Sequence, residues 1–343
     1  MGTCAPLSLG GFKILDQVLW TPLAETGLDG SPGREFCSLL STREVNLPFL
    51  TLERSGPQTC WNIVFGSQDA PHAGAIFPDH ILCEEGAPMP GAVLSLFPHR
   101  NDPIVAGRLI QAFARAGIWP YVLAYSPSAL SVVVPSAAVA QATEAIFGPF
   151  CFGTFHTPVD WRLAQQGKEA LFKEVVASFS EKRPKVYGLR WSDNLRLFIL
   201  DLEKATMPLA GRILEALAAT GGPLHFLMSS LSDPVSRTRL LIAVPEDARF
   251  AWSAAIGRGA DQEGFSASSR PAALFTMNGP HFGDRYGITS ILLQGFEEAG
   301  VHLIALNCSV ASITGLIAPE ESDQAVAAIT QCFEVPAVIK LPA

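Results

Sequence analysis

The feature that most constrains this chain is that it repeats itself. Three stretches follow one pattern: "AVLSLFPHRNDPIVAGRLIQAFARAG" and its continuation from Ala92, "LRLFILDLEKATMPLAGRILEALAATGG" and its continuation from Leu195, and "AALFTMNGPHFGDRYGITSILLQGFEEAG" and its continuation from Ala272. Each opens with a short apolar strand and a polar turn. A helix of about four turns follows and stops near a glycine, then come two apolar strands joined by a short polar turn, then a second helix. In the first copy Val105, Leu109 and Phe113 form one apolar stripe at helical spacing, with Ile110 beside them. Leu209, Ile213 and Leu217 do so in the second, and Ile288, Leu292, Phe296 and Ala299 in the third. Gly117, Gly221 and Gly300 suit the ends of these helices. The strands "ALSVVVP", "TRLLIAVP" and "SITGLIAP" all finish at proline, which cannot extend a central ladder. Val326, Ile329 and Phe333 mark a second helix in the last copy.

The N-terminal part reads as a fainter fourth copy. "GFKILDQVLW" is its expected first strand, and the stretch Thr21 to Gly30 an expected long loop. "SPGREFCSLLST" is a helix with Ser31 as N-cap and Pro32 at the first position. "LPFLTLERSG" and "TCWNIVFGSQDA" make the strand pair. Residues 151–194 do not fit the repeat: "PVDWRLAQQGKEALFKEVVASFSEKRP" reads as a linking helix with Leu171, Val175 and Phe179 on one face, and "KVYGLRW" as an extra strand before the turn "SDN". The expected organisation is a divergent repeat at 8–88, repeats at 89–157, 186–270 and 271–343, and a linker helix at 158–185.

Composition narrows the function classes. Apolar residues make up 48% of the 343 and charged residues 16%, so real cores can form. The formal net charge is −8 and no Lys/Arg cluster stands out, so no nucleic-acid partner is expected. No apolar run approaches the roughly 18 residues needed to span a bilayer, so no membrane partner is expected either. The start "MGTCAPLSLGG" lacks a basic region followed by an apolar core, and no signal peptide is expected. The seven cysteines are scattered with no CxxC spacing, which fits free thiols in the cytoplasm and no metal site.

A βαββαβ order in about 70 residues is the ferredoxin-like arrangement, an α+β fold with antiparallel sheets and helices on one face. The detail is more specific. "VYGLRWSDNLRLFILDLEKATMPLAG" resembles the first ACT domain of aspartokinases, which enters on a strand of the type V-x-G-I-A-x-D-x-N and reaches an Asp-x-Pro-Gly loop. "AGVHLIALNCSVASITGLIAPEESDQAVAAITQCFEV" resembles their second ACT domain, with its A-G-I-N-I strand. The resemblance is close over 186–343, looser over 92–150 and faint over 8–88. The chain departs from the pattern at "EKATMPLAG", which lacks the Asp and has Leu209 for the Gly, and at His302, where the family has Asn. No Lys-Phe-Gly-Gly type start precedes the repeats. The resemblance therefore implies tandem ACT repeats without a kinase domain, and an expectation that the chain is not an enzyme.

The strand-to-helix turn of such a repeat aims free backbone N–H groups outward, and the helix dipole adds positive charge. A carboxylate fits there without a special side chain. In the last copy the helix start at Gly287 and Ile288 offers this, with Asp284 and Asn278 as candidates for a ligand's ammonium and His281, Arg285 and Tyr286 beside them. The turn "PHRNDP" offers His99, Asn101 and Asp102, and "EKATMP" offers Glu203 and Thr206. The resemblance puts the facing wall on a neighbouring repeat's second strand, at Ser126, Ser229, Ser230, Asn307 and Ser309.

Plainer readings compete at each position. "GPHFGDRYG" has neither Walker nor Rossmann spacing, so no nucleotide cofactor is expected. His281 with Asp284 is better read as a structural turn than a metal pair, and His99 as a surface turn residue. His225 and His302 are expected on strands, facing solvent or a partner sheet. Asp102 and Asp284 could act only as helix N-terminal stabilisers, and Arg285 and Tyr286 could only solvate the loop. The leading expectation is a non-catalytic regulatory protein that binds a small amino acid or related metabolite at repeat–repeat seams. The expected form is a homodimer, and an amino-acid biosynthetic enzyme is a possible partner. The alternative is an assembly protein whose repeats bind no ligand.

Overall fold

The structure is a computed structural model that describes residues 5–26, 32–71, 88–97, 101–127, 129–153, 155, 157–160, 183–233, 237–258, 263–279, 287–309 and 312–341. A strand–helix–strand–strand order recurs four times. Repeat 1 comprises β2 (Gly11–Thr26), α1 (Pro32–Thr42), β3 (Phe49–Ser55) and β4 (Gln58–Gly66). Repeat 2 comprises β5 (Met89–Phe97), α2 (Pro103–Arg115), β6 (Val122–Tyr125), β7 (Leu130–Pro135) and a further helix α3 (Val139–Ile146). Repeat 3 comprises β9 (Gly188–Glu203), α4 (Met207–Ala218), β10 (Phe226–Asp233), β11 (Arg237–Pro245) and α5 (Arg249–Gly257). Repeat 4 comprises β12 (Phe265–Asn278), α6 (Ile288–Glu298), β13 (Leu303–Ser309), β14 (Ser312–Ile317) and α7 (Ser322–Cys332). Short strands β1 (Leu7–Leu9) and β8 (Phe150–Phe152) pair in parallel, and β15 (Val338–Lys340) runs parallel to the start of β9. The expected linker helix falls almost wholly on 161–182, outside the described residues, as does Ser31.

Local chemistry explains the elements. Gly117, Gly221 and Gly300 carry φ of 67°, 75° and 67° just past α2, α4 and α6, the left-handed backbone that ends a helix and that glycine adopts without strain. Pro135 and Pro245 end β7 and β11, and each opens one 3-10 turn that feeds the next helix.

The sheet order is β11-β10-β6-β7-β5-β2-β4-β3-β13-β14-β12-β9-β15, almost entirely antiparallel, with an additional β11–β9 pairing. The order therefore returns to itself, and β15 hangs from β9 as a branch. Repeat 2 joins repeat 3 through β6 and β10, and repeat 1 joins repeat 4 through β3 and β13. These pairings lie within the chain and need no second copy.

The ring closes because long strands serve two sheets. In β2 residues 11–15 pair with β5 alone, residues 18–20 with both β5 and β4, and residues 21–26 with β4 alone, and the register with β5 shifts between Leu15 and Val18, where Gln17 has φ 53°. In β9 residues 195–203 face β11, while residues 188–192 pair with the part of β12 that joins β14. A bulge in β12 lies between Ala272 and Leu274. This corrects two expectations: Thr21–Thr26 is strand rather than loop, and "SDN" lies inside β9 rather than in a turn. Pairing with β4 holds Thr21–Thr26 extended, and strand pairing on either side of Asp193 and Asn194 carries β9 through them, so the ladder overrides local turn chemistry.

The core lies in three layers. One fills the space between the sheet of repeats 2 and 3 and helices α2 to α5, with Leu109, Phe113, Ile213 and Trp252. A second lies under α1, α6 and α7, with Phe36, Leu292 and Ile329. The third is between the two sheets, with Val18, Trp20, Phe49, Leu195, Leu197 and Phe226. A single strand feeds all three: Phe12, Trp20 and Leu23 of β2 enter different layers. Glu53 of β3 is buried and reaches across the sandwich to Arg239 Nη1 of β11 at 3.0 Å, while Arg239 Nε holds Asp201 at 2.8 Å. Trp20 stacks on Tyr121 with ring centroids 4.2 Å apart.

Helices α2 and α4 meet backbone to backbone. A Cβ on Gly107 would lie 2.8 Å from the Gly211 carbonyl oxygen. Gly107→Ala is expected to destabilise by about 1–3 kcal/mol through overpacking, whereas Gly257→Ala, with open space around it, is expected to be neutral or slightly stabilising. Chemical denaturation of the two variants checks this. Glu53→Ala strips Arg239 of its cross-sheet partner and is expected to cost about 3 kcal/mol in the same assay.

Candidate functional site

The four strand-to-helix turns differ in what occupies their free N–H groups. In repeat 1 the Glu25 carboxylate, carried on β2, accepts from Gly33 N in the first turn of α1 at 3.3 Å and from the Trp61 indole. In repeat 2 Asp102 is the N-cap of α2, accepting from Ile104 N at 2.9 Å, and Pro103 needs no donor partner. In repeat 3 the turn is covered by the start of β12: Glu203 N donates to the Gly264 carbonyl at 3.1 Å, and the Thr206 hydroxyl donates to the carbonyls of Glu203 and Gly264. In repeat 4 no side chain among the described residues caps α6, and its N-cap Gly287 sits at φ 82°.

That open helix start faces a cleft. Ser41, Val45 and Leu47 line it from repeat 1, and Gly287 to Ser290 with Ser309 from repeat 4. Its volume is about 30 Å³, room for a water or two while the two repeats lie as they do here, so a larger occupant must part them. The antiparallel pairing of β3 with β13 creates it. Phe49 at the start of β3 lies beside Ser309 at the end of β13, so the chain leaving α1 meets the start of α6. Arg34 of α1 and Glu297 of α6 add an ion pair at 2.9 Å. Cys37 and Cys308, both buried, also line the cleft, and Thr289 Oγ1 donates to the Cys308 sulfur at 3.4 Å. Burial pushes the Cys308 thiol up to about 12 and raises that of Cys37 further.

Of the residues expected from sequence, Gly287, Ile288 and Ser309 line this cleft. His281, Asp284, Arg285, Tyr286 and His99 lie outside the described residues. Asn278 ends β12, where its carbonyl accepts from Tyr187 N at 2.8 Å. Asn101 adopts φ 58°, accepts from the Tyr125 hydroxyl at 2.9 Å, and offers its carbonyl to Leu224 N. Glu203 sits 3.8 Å from Arg237. Ser126 bonds Ala129 in the β6–β7 turn. Ser229 accepts from Leu123 N at 2.7 Å, so its oxygen stitches the β6–β10 seam. The Ser230 hydroxyl is buried with no hydrogen-bond partner. Asn307 donates to the Tyr125 carbonyl at 3.1 Å, which ties the two sheets together, and its Oδ1 is buried without a partner. His225 and His302 each precede a strand rather than lie on it; burial lowers the pKa of His225.

The sequence reasoning missed Glu25, Ser41 and the cleft-lining role of Cys37 and Cys308. A carboxylate on the first strand, eight residues before Gly33 in the helix it reaches, was the available signal for Glu25. Nothing local marked the others, because the cleft joins the first repeat to the last.

No protein-family profile matches the sequence. No curated protein matches it. Solved structures do. The aspartate kinase from Synechocystis superposes on 98% of this chain with a TM-score of 0.76 at 11% identity. The fold is one that aspartate kinase carries. The chain spans 57% of that kinase's length. The ligand-free regulatory subunit of aspartate kinase from Thermus thermophilus matches 43% of this chain and 97% of its own, with a TM-score of 0.39 at 20% identity. Its counterpart from Thermus flavus matches 43% and 98%, again at 0.39 and 20%. The first comparison corrects the expectation that the chain is not an enzyme: the structure that accounts for nearly all of it is an enzyme's. At 11% identity the likeness concerns the fold.

Among the described residues, no group of three or more His, Cys, Asp or Glu side chains gathers as a metal site requires, and no helix is long and apolar enough to cross a membrane.

The cleft's thiols give a direct test of its packing. At pH 8 Cys37 and Cys308 are expected to resist a thiol-specific disulfide reagent in the native protein and to react on unfolding, because only the thiolate attacks. The partly exposed Cys60 and Cys151 are expected to react first. Peptide mass mapping after timed labelling reads the order.

Proposed function

We propose that the chain is a tandem array of ACT-type βαββαβ repeats that binds a small amino acid or related metabolite at the seam of repeats 1 and 4. Occupancy of that seam acts allosterically on an aspartate-kinase-type activity, its own or a partner's. The observation that carries this is the start of α6, uncapped among the described residues, opening onto a cleft built from two repeats. The first turn of a helix leaves donors unpaired, and the dipole favours an anion there. Repeats 1 and 2 supply the chain's own comparison: each fills the same position with a side-chain carboxylate, Glu25 or Asp102. A ligand carboxylate completes repeat 4 in the same manner. A molecule that bridges α6 and the Ser41–Leu47 segment favours one spacing of the two repeats over another, which is what allosteric coupling requires.

A second role suits the other pair. In repeats 2 and 3 the turn at α2 is self-capped and α2 packs on α4 through Gly107 and Gly211, so that seam supports assembly rather than ligand binding.

Melting temperature measured with each common amino acid at millimolar concentration tests the reading. A ligand at about 100 times its dissociation constant is expected to stabilise by roughly 2.7 kcal/mol, a rise of a few degrees. Ser41→Phe fills the cleft and is expected to abolish the rise. Absence of any rise in the parent protein overturns the proposal, and a rise that persists in Ser41→Phe removes the ligand from this cleft.

A further inference from the structure

The seam of β3 and β13 has a second end, and it too is hollow. Where β3 finishes and β13 starts, a cleft of about 460 Å³ is lined by Arg54, Arg270, His302, Leu303, Pro319 and Glu321, among others. We propose that it binds a small organic oxyanion: a carboxylate or phosphate group on an apolar body.

The charges argue for an anion. Arg54 comes from β3 and Arg270 from β12, so two strands far apart in the chain bring two guanidinium groups to one cavity. Among the described residues, neither has a carboxylate within ion-pair distance, although eight such pairs are found elsewhere. The nearby acids are engaged. Glu53, the acid that acts on Arg270, is held by Arg239. Glu321 takes the His302 backbone N–H at 2.9 Å and its ring Nδ1 at 2.7 Å. Arg270 is exposed on the cleft, and with Glu53 engaged by Arg239 its guanidinium is open to a ligand oxyanion. Guanidinium groups present forked donors that match carboxylate and phosphate oxygens.

The remaining lining sets the rest of the ligand. Pro271, Leu303, Ile304 and Pro319 supply an apolar wall. Glu320 and Glu321 lie on the same rim and disfavour a polyanion. His302 donates Nδ1 to Glu321, which leaves Nε2 an acceptor in the neutral ring and a donor to a ligand oxygen only in the imidazolium. This cleft is separate from the one at α6, and its occupancy is independent of the amino-acid reading above.

Calorimetric titration of the full chain at low ionic strength decides the matter, with phenylacetate, phenyl phosphate, inorganic phosphate and adenosine triphosphate as probes. Saturable binding of phenylacetate or phenyl phosphate is expected, tighter than inorganic phosphate or the polyanion, and the better of the two identifies the head group. The double variant Arg54→Gln/Arg270→Gln is expected to bind at least tenfold more weakly and to leave any amino-acid melting shift unchanged. If that variant does not fold, the single exchanges serve, each with an expected loss of about threefold or more. The proposal is overturned if neither phenyl probe saturates, or if the Arg variants bind as the parent does.

Discussion

Everything in this molecule depends on three strands that refuse to belong to one sheet. β2, β9 and β12 each begin in one half of the sandwich and finish in the other, and the register shifts in β2 and β12 are where the change of direction is absorbed. Strands that passed straight through would leave two separate halves, each a sheet under its helices, with open edges. With the change of sheet, the ladder closes on itself through β11 and β9, and few edges remain to be protected. The same device gives each long strand side chains in all three layers of the core, so neither half can loosen without disturbing the space between the sheets.

Closure also decides where cavities can lie. Repeats 1 and 4 are joined through their second strands, which run antiparallel. The two ends of that join are therefore unlike. One carries the start of α6 and the exit of α1, with buried thiols and a helix N-terminus. The other carries the β3–β4 turn and the lead into β13, with arginines and an engaged histidine. A single seam thus presents one end governed by backbone donors and another governed by side-chain charge. The cross-sheet link from Glu53 to Arg239 lies between them and ties both to the opposite half.

Much of this was legible in the sequence, and the illegible part has one cause. Stripes such as Val105, Leu109 and Phe113 located α2, and Gly117 its end, because helical period and left-handed backbone are local properties. The start of α6 was picked out as a candidate on the same local grounds, and it lines the cleft between repeats 1 and 4. Thr21–Thr26 and "SDN" were misread because their local chemistry suggests turns, while pairing with β4 extends the first and the ladder to either side of Asp193 and Asn194 carries β9 through the second. Ser41 and Cys37 escaped because their importance comes from lying against Ser309 and Cys308, a juxtaposition set by ring closure and by no nearby residue. Asp102 showed the reverse: its simplest role, capping its own helix, is the one it performs.

Ring closure also sets an order of events during synthesis. Leu52 pairs with Leu306, so the outer edge of β3 has no partner until nearly the whole chain has been made. At ribosomal speeds of roughly 5–20 residues per second, that edge waits on the order of ten seconds or more, longer than local hairpins and helices need to form. An apolar strand exposed for so long is a template for wrong pairings. β3 closes its mostly apolar run Phe49–Leu52 with Glu53 and Arg54, and adjacent opposite charges act as gatekeepers flanking such an edge. The residues that hold the finished sandwich together and furnish one of its clefts also guard the nascent chain until its last repeat arrives.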